Sequence, residues 1–266
     1  MRGIRDHFEE QGYYVLEDLL CEDELNRCGA EITRLHRLGA DYGKSGDARG
    51  RSFQLEPYAK SEEAAGLPIL RKIEQTGNYS DVFKSLAQHP KLIRVVRELL
   101  GDDLLLFRST LMLKPANHGS AHSFHQDSAY WPMRPASLVT VSIALTESTP
   151  ENGCIQVIPR SHEWGLRDWG TIAKNSDKAE SQRTDVDTRH AKEVPLKAGS
   201  ALMFHSLAVH GSGPNRSPHP RHTALYAYFP PTVRYISENT DDERSFRVVS
   251  GLGGREELML KADVVA

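Results

Sequence analysis

Apolar and polar positions along this 266-residue chain change their spacing once, near Asp103. Upstream the spacing is helical. In EDELNRCGAEITRLHRLG, Leu25, Cys28, Ile32 and Leu35 recur at steps of three and four, which gives a helix one buried stripe. Ile4 and Phe8, in the run to Gly12, predict a shorter helix, and Tyr13-Tyr14-Val15-Leu16 a strand. Residues 39–60 are rich in Gly, Ser and charge and read as a loop. Two more helices are expected over SDVFKSLAQ and PKLIRVVRELLG, the second opening on Pro90 and closing on Gly101.

Downstream of Asp103 the pattern shortens to β-branched and aromatic runs between turn residues: LLLFRSTLMLK, SLVTVSIALTE, CIQVIP, SALMFH and RHTALYAYFP. Val139, Val141, Ile143 and Leu145 alternate with Thr140, Ser142, Ala144 and Thr146, a period of two with one apolar face. Asn152-Gly153 marks a tight turn, because both residues tolerate positive φ. Many short strands with helices gathered upstream predict an antiparallel double-sheet barrel or sandwich buttressed by N-terminal helices. The segment 163–193 breaks the pattern. It is long and polar, with Trp164, Trp169 and Ile172 as its anchors, and is read as a lid or an insertion.

Composition narrows the classes further. Apolar residues make up 39% and charged residues 26%, which places the chain among ordinary globular proteins. A formal net charge of −3 offers no bulk attraction to nucleic acid or anionic membranes, so neither is expected as a partner. Three cysteines, Cys21, Cys28 and Cys154, do not make a disulfide framework and suit a reducing compartment. MRGIRDHFEEQGYYVLEDLL is charged every few residues, so neither a signal peptide nor a membrane anchor is expected there, and a cytoplasmic location is.

The candidate chemistry lies in SFHQDSAYWP, which sets His125 and Asp127 two apart. On a strand they share one face, and imidazole and carboxylate can converge on one ion while Gln126 points away. HxD alone is a weak signal. A third ligand is available in HSLAVHGSGPNRSPHPRHTALYAYF, where His210 is followed by Gly211, Ser212 and a Gly/Pro/Asn-rich connection to Arg221. A hairpin there would bring Arg221 near His210. Arg221, Thr223 and Leu225 would face one way, His222 and Ala224 the other. Two imidazoles and a carboxylate hold ferrous iron and leave positions open for chemistry. An arginine beyond them can grip the far carboxylate of a dicarboxylic co-substrate, with Ser212 as a further donor. That co-substrate would be 2-oxoglutarate. His118, His122, His205 and His222 compete as ligands on residue type, and spacing alone ranks them lower.

HQD at 125–127, NGCIQVIPRSH at 152–162 and HGSGPNRS with Arg221 resemble the pattern of the phytanoyl-CoA dioxygenase (PhyH) family of iron(II)/2-oxoglutarate oxygenases, over roughly residues 8–230. The resemblance implies a mainly β protein with flanking helices, built on a double-stranded β-helix (jelly-roll, cupin-like) core. It implies His125, Asp127 and His210 as iron ligands and Arg221 with Ser212 as the 2-oxoglutarate clamp, with O2 as the other co-substrate. Arg108 falls where related enzymes place a polar group near co-substrate or substrate, and Trp131 with Tyr130 could wall the pocket. His162 falls on a family turn that carries no ligand. Arg160 departs from the family's usual glycine. A carboxylate at 127 favours hydroxylation, desaturation or ring closure over halogenation.

The expected organisation is one oxygenase domain over 1–266: a mostly helical buttress (1–102), a jelly-roll core (103–230) that includes 163–193, and a C-terminal extension (231–266). Few large apolar residues in 39–60 and 163–193 suggest a small polar substrate, in natural-product tailoring. Two rival readings stand beside this one, a cupin-like metalloenzyme that does not use 2-oxoglutarate and a non-enzymatic jelly-roll binding module.

Overall fold

Two antiparallel sheets enclose a cavity in the computed structural model, which describes residues 3–57, 67–169, 174–175 and 186–264. Among the described residues the larger sheet has nine strands. Its main path runs Tyr13–Leu16, Ala201–His205, Val139–Ala144, Arg221–Phe229, Leu104–Lys114, Glu243–Ser250, Glu257–Lys261, and Leu70–Glu74 joins through Leu104–Lys114 with Phe53–Leu55 beside it. The smaller sheet runs Lys192–Val194, Ile155–Val157, His210–Ser212, Ala121–His125, Lys174–Asn175. With helices outside the larger sheet, this is a mainly β protein with a double-stranded β-helix core, as expected from the sequence.

Four α-helices precede the core among the described residues: α1 Ile4–Gln11, α2 Glu22–Ser45, α3 Asp81–Leu86 and α4 Pro90–Leu100. Their ends follow local chemistry. Gly12 closes α1 in the left-handed region at φ 79°, and Ser80 accepts the Phe83 amide at the start of α3. Cys28, Ile32, Leu35, Leu92, Val95 and Val96 pack onto Val139, Val141, Ile143, Ala224 and Tyr226 of the larger sheet. The apolar half of each alternation is therefore spent on the helices. The polar half turns to the cavity, which is why Thr140 and Ser142 are as buried as their apolar neighbours.

Two tyrosines pin the helices to the sheet. Tyr226 donates to the Phe83 carbonyl at 2.9 Å, which also accepts the Ala87 amide, and Tyr228 to the Ala87 carbonyl at 2.8 Å just past the end of α3. Burial pushes both phenols well above 10, so they remain donors at any working pH. Tyr228→Phe should cost about 1–2 kcal/mol, because a buried carbonyl is left unpaired. Chemical denaturation measures this, and an unchanged midpoint would remove the bond from the account.

Three expectations need correction. Residues 39–60 are not a loop throughout: α2 continues to Ser45, a 3-10 turn covers Ala48–Ser52, and Phe53–Leu55 is a strand. A Cβ on Gly39 would lie 2.8 Å from Phe53, so the glycine serves a close approach and does not break the helix. Asp127 is not on a strand but opens a 3-10 turn just after one. His210 and Arg221 are not joined in one hairpin, because His210 belongs to the smaller sheet and Arg221 to the larger.

Other segments need only description. Glu243–Ser250 and Glu257–Lys261, read as an extension, widen the larger sheet. Of the segment 163–193, residues 170–173, with Ile172, and 176–185 lie outside the described residues. Trp169 is buried and Trp164 exposed. Arg160 sits at φ 63°, the left-handed region glycine prefers, which explains the glycine of the pattern but not the arginine here. The three cysteines are free, and no helix among the described residues is long and apolar enough to cross a membrane.

Candidate metal and co-substrate site

Strand pairing brings the distant histidines together. His125 ends Ala121–His125, and antiparallel register sets His210 directly opposite it, with ring centroids 4.4 Å apart. Asp127 Oδ1 lies 3.6 Å from His125 Nε2 and 3.9 Å from His210 Nε2. Donor atoms from all three fall within 4.8 Å of one another.

The surroundings fix these groups in metal-binding form. His125 Nδ1 is 2.8 Å from the Ser123 carbonyl and His210 Nδ1 is 3.0 Å from the Ala208 carbonyl. A carbonyl only accepts, so each Nδ1 carries the hydrogen and each Nε2 keeps its lone pair. Burial, with His125 nearby, pushes His210 down to about 4. Burial alone would raise the Asp127 carboxyl, but His210, His125 and a 2.7 Å hydrogen bond from Thr140 Oγ1 outweigh it and hold the group at about 2. At pH 7 His210 is neutral and Asp127 ionised. Thr140→Val should weaken metal binding by about 10-fold, the low end for a partner that orients a ligand. Competition against a chelator measures it, and unchanged affinity would count Thr140 out.

A cavity of about 320 Å³ opens beside the three groups, large enough for a small co-substrate with a small substrate. At one end lies Arg221, only 4% exposed. Nη1 donates to the Gly153 carbonyl and Nη2 to Thr223 Oγ1 at 3.4 Å, while Nε is buried with no partner among the described residues. Gly153 sits at φ 78°, where an added Cβ would collide with the Gly213 carbonyl, so the turn requires glycine to present its own carbonyl. Lys114 stands directly opposite Arg221 in register and is also buried, its Nζ on the carbonyls of Ser120 (2.8 Å) and Gly213. Burial, then the Arg221 charge, pulls Lys114 well down from its ordinary value. Burial likewise lowers Arg221 to about 10, leaving it charged at pH 7. Arg221 is thus a buried cation beside Lys114, and an anionic ligand would stabilise its charge.

The other expected residues divide. Ser212, Trp131, Tyr130 and Arg108 all line the cavity, and Trp131 packs on Phe107 at 5.0 Å. Arg108, however, lies at the opposite end from Arg221. Among the competing histidines, His122 alone lines this cavity, its Nδ1 2.8 Å from Arg71 Nη2 and its ring 5.2 Å from His125. His205 packs against Phe8 and His162, His222 faces α2, and His118 is exposed.

Reading Gln126 only as pointing away missed its role. Its side-chain oxygen accepts from the Arg167 amide and Trp169 Nε1, and its nitrogen donates to the carbonyls of Gly165 and Leu207, so it ties residues 165–169 to the turn between two candidate ligands. Lys114 and Thr140 were missed as well, and only the sheet's register could have pointed to them.

The donor set suits a ferrous ion with open positions. The orphaned guanidinium nitrogen suits a carboxylate. Together with the fold, these define the class of non-haem oxygenase scaffolds that pair a metal with an organic acid. The phytanoyl-CoA dioxygenase (PhyH) family model matches residues 8–223, and the chain belongs to that family. It is 26% identical to peroxisomal phytanoyl-CoA dioxygenase of Rattus norvegicus over 92% of this chain and 73% of that one. It is 28% identical to ectoine dioxygenase of Streptomyces coelicolor over 85% and 76%. Among solved structures, EctD from S. alaskensis with bound Fe superposes with a TM-score of 0.68 at 26% identity, covering 87% of this chain and 77% of that one. The non-heme monooxygenase ThoJ superposes with a TM-score of 0.76 at 23% identity, covering 98% and 89%, a likeness of fold. The protein is an iron(II)/2-oxoglutarate-dependent dioxygenase.

Proposed function

We propose that the protein oxidises an unactivated C–H bond of a small polar molecule, by hydroxylation or oxidative ring closure, in the tailoring of a natural product. In this reading 2-oxoglutarate and O2 become succinate and CO2. His125, Asp127 and His210 hold the iron, and Arg221 with Ser212 holds the far carboxylate of 2-oxoglutarate. Iron, when bound, supplies the centre at which the keto acid chelates and O2 is reduced. The chain's own residues do the rest. Thr140 keeps the Asp127 carboxylate in one orientation, the two backbone carbonyls keep both imidazoles in one tautomer, and Arg221 sets the angle of the diacid. Trp131 and Phe204 line the cavity and limit water.

One observation carries this reading: three ligand atoms within 4.8 Å share a cavity with a buried arginine whose Nε lacks a partner. Relatives named for ectoine, phytanoyl-CoA and hypophosphite support a small-molecule substrate. The two C-terminal strands in the larger sheet support 1–266 acting as one domain. Purified protein given iron(II), 2-oxoglutarate and air should release succinate slowly without substrate, and omission of any one should stop it. Succinate release that ignores the metal would overturn the assignment.

A further inference from the structure

The cavity has a second cationic end that the co-substrate does not use. Along Leu104–Lys114 the positions that line the cavity are Met112, Thr110 and Arg108, opposite Thr223, Leu225 and Ala227, and Lys114 beyond them stands opposite Arg221. Arg108 is six residues from Lys114, or about 20 Å along an extended strand. That is well beyond the span of a short diacid held at Arg221.

The Arg108 end is a built cluster. Glu74 Oε1 accepts from Arg108 Nη2 at 3.1 Å and from Lys72 Nζ at 2.6 Å, so one carboxylate oxygen serves two cations that both line the cavity. Arg108 Nε and Nη1 have no partner among the described residues. On its other side Arg108 borders a crevice of about 260 Å³ lined by Lys84, Arg244 and Arg247. Among the described residues lining the main cavity, Asp127 is the acidic one, and in the proposed site its charge serves the metal. Glu74 holds Arg108 and Lys72 in place but balances only one of their two charges. A neutral apolar group here would strip water from a charge without replacing it, whereas an anion would complete the cluster.

We propose that Arg108 and Lys72 determine substrate specificity by binding a carboxylate or phosphate on the substrate, at the end of the cavity opposite Arg221. The substrate is then a small organic anion whose reacting carbon lies between its charged group and the metal. This rests on the reading of the Arg221 end as the 2-oxoglutarate site.

The test uses full-length protein with iron(II), without oxygen, in two stages. First, 2-oxoglutarate is titrated alone; if wild-type protein fails to bind it, the co-substrate reading falls. With 2-oxoglutarate then saturating, ligand line broadening is measured for matched probes: small carboxylic acids against their amides, and alkyl phosphates against the parent alcohols. The acids or the phosphates should bind at least about 10-fold tighter than their neutral partners, as a charge-assisted hydrogen bond implies. The arm with the larger ratio identifies the anion. Arg108→Gln and, separately, Lys72→Met should abolish that preference while 2-oxoglutarate affinity changes less than twofold, and Arg108→Lys should retain part of it. Equal binding of charged and neutral probes would overturn the proposal. So would a preference that survives both substitutions, or anions that bind only by displacing 2-oxoglutarate.

Discussion

Asp127→Ala protein is expected to fold, to lose iron affinity by more than about 100-fold, the upper end of what even a supporting partner is worth, and to release no succinate. The carboxylate is the one anionic donor of the three, so its loss leaves two neutral imidazoles around a divalent ion. Titration of apo-protein with iron(II) under nitrogen reads the affinity, and circular dichroism confirms the fold. Affinity within a few-fold of wild type would place the metal elsewhere. The pH dependence follows from the same groups. His210, held at about 4, takes up a proton as the pH falls through that value, and Asp127, held at about 2, only below it. Occupancy should therefore be lost as the pH is lowered through about 4.

Arg221→Ala should leave iron affinity intact and raise the KM for 2-oxoglutarate by about 100-fold, in the range expected when one partner of a buried charge pair is removed. Lysine in its place should recover part of the loss, since it restores the charge but not the planar fork. The split between metal and co-substrate is the informative result. If both fell together, Arg221 would be holding the barrel in shape through its Gly153 contact rather than holding the diacid. Steady-state kinetics at varied 2-oxoglutarate, with iron saturating, separates the two.

What could be read before the structure was whatever local spacing encodes. The stripe Leu25, Cys28, Ile32, Leu35 is a helical face because burial on one side forces that period, and those residues do pack inward. The alternation in Val139–Ala144 was legible too, but not its meaning: a polar face suggests solvent, and here it faces a cavity. His125 and Asp127 could be paired from sequence, being two apart. His210 was a candidate third ligand from its place before a turn-rich connection, and resemblance strengthened it, but its position opposite His125 depends on strand register between distant segments. The same limit hid Lys114 beside Arg221 and Glu74 between Lys72 and Arg108. A hairpin from His210 to Arg221 was the natural guess from a Gly/Pro-rich connection. In a double-stranded β-helix that connection instead crosses from one sheet to the other, which is how His210 and Arg221 come to line one cavity.

The most direct measurement mixes apo-protein with iron(II) and 2-oxoglutarate under nitrogen and records the visible spectrum. A weak charge-transfer band from the chelated keto acid should appear in wild-type protein, be absent in Asp127→Ala, and require far more 2-oxoglutarate in Arg221→Ala. If wild-type protein stays colourless with both present, or Asp127→Ala gives the same band, then these three side chains do not form the iron centre.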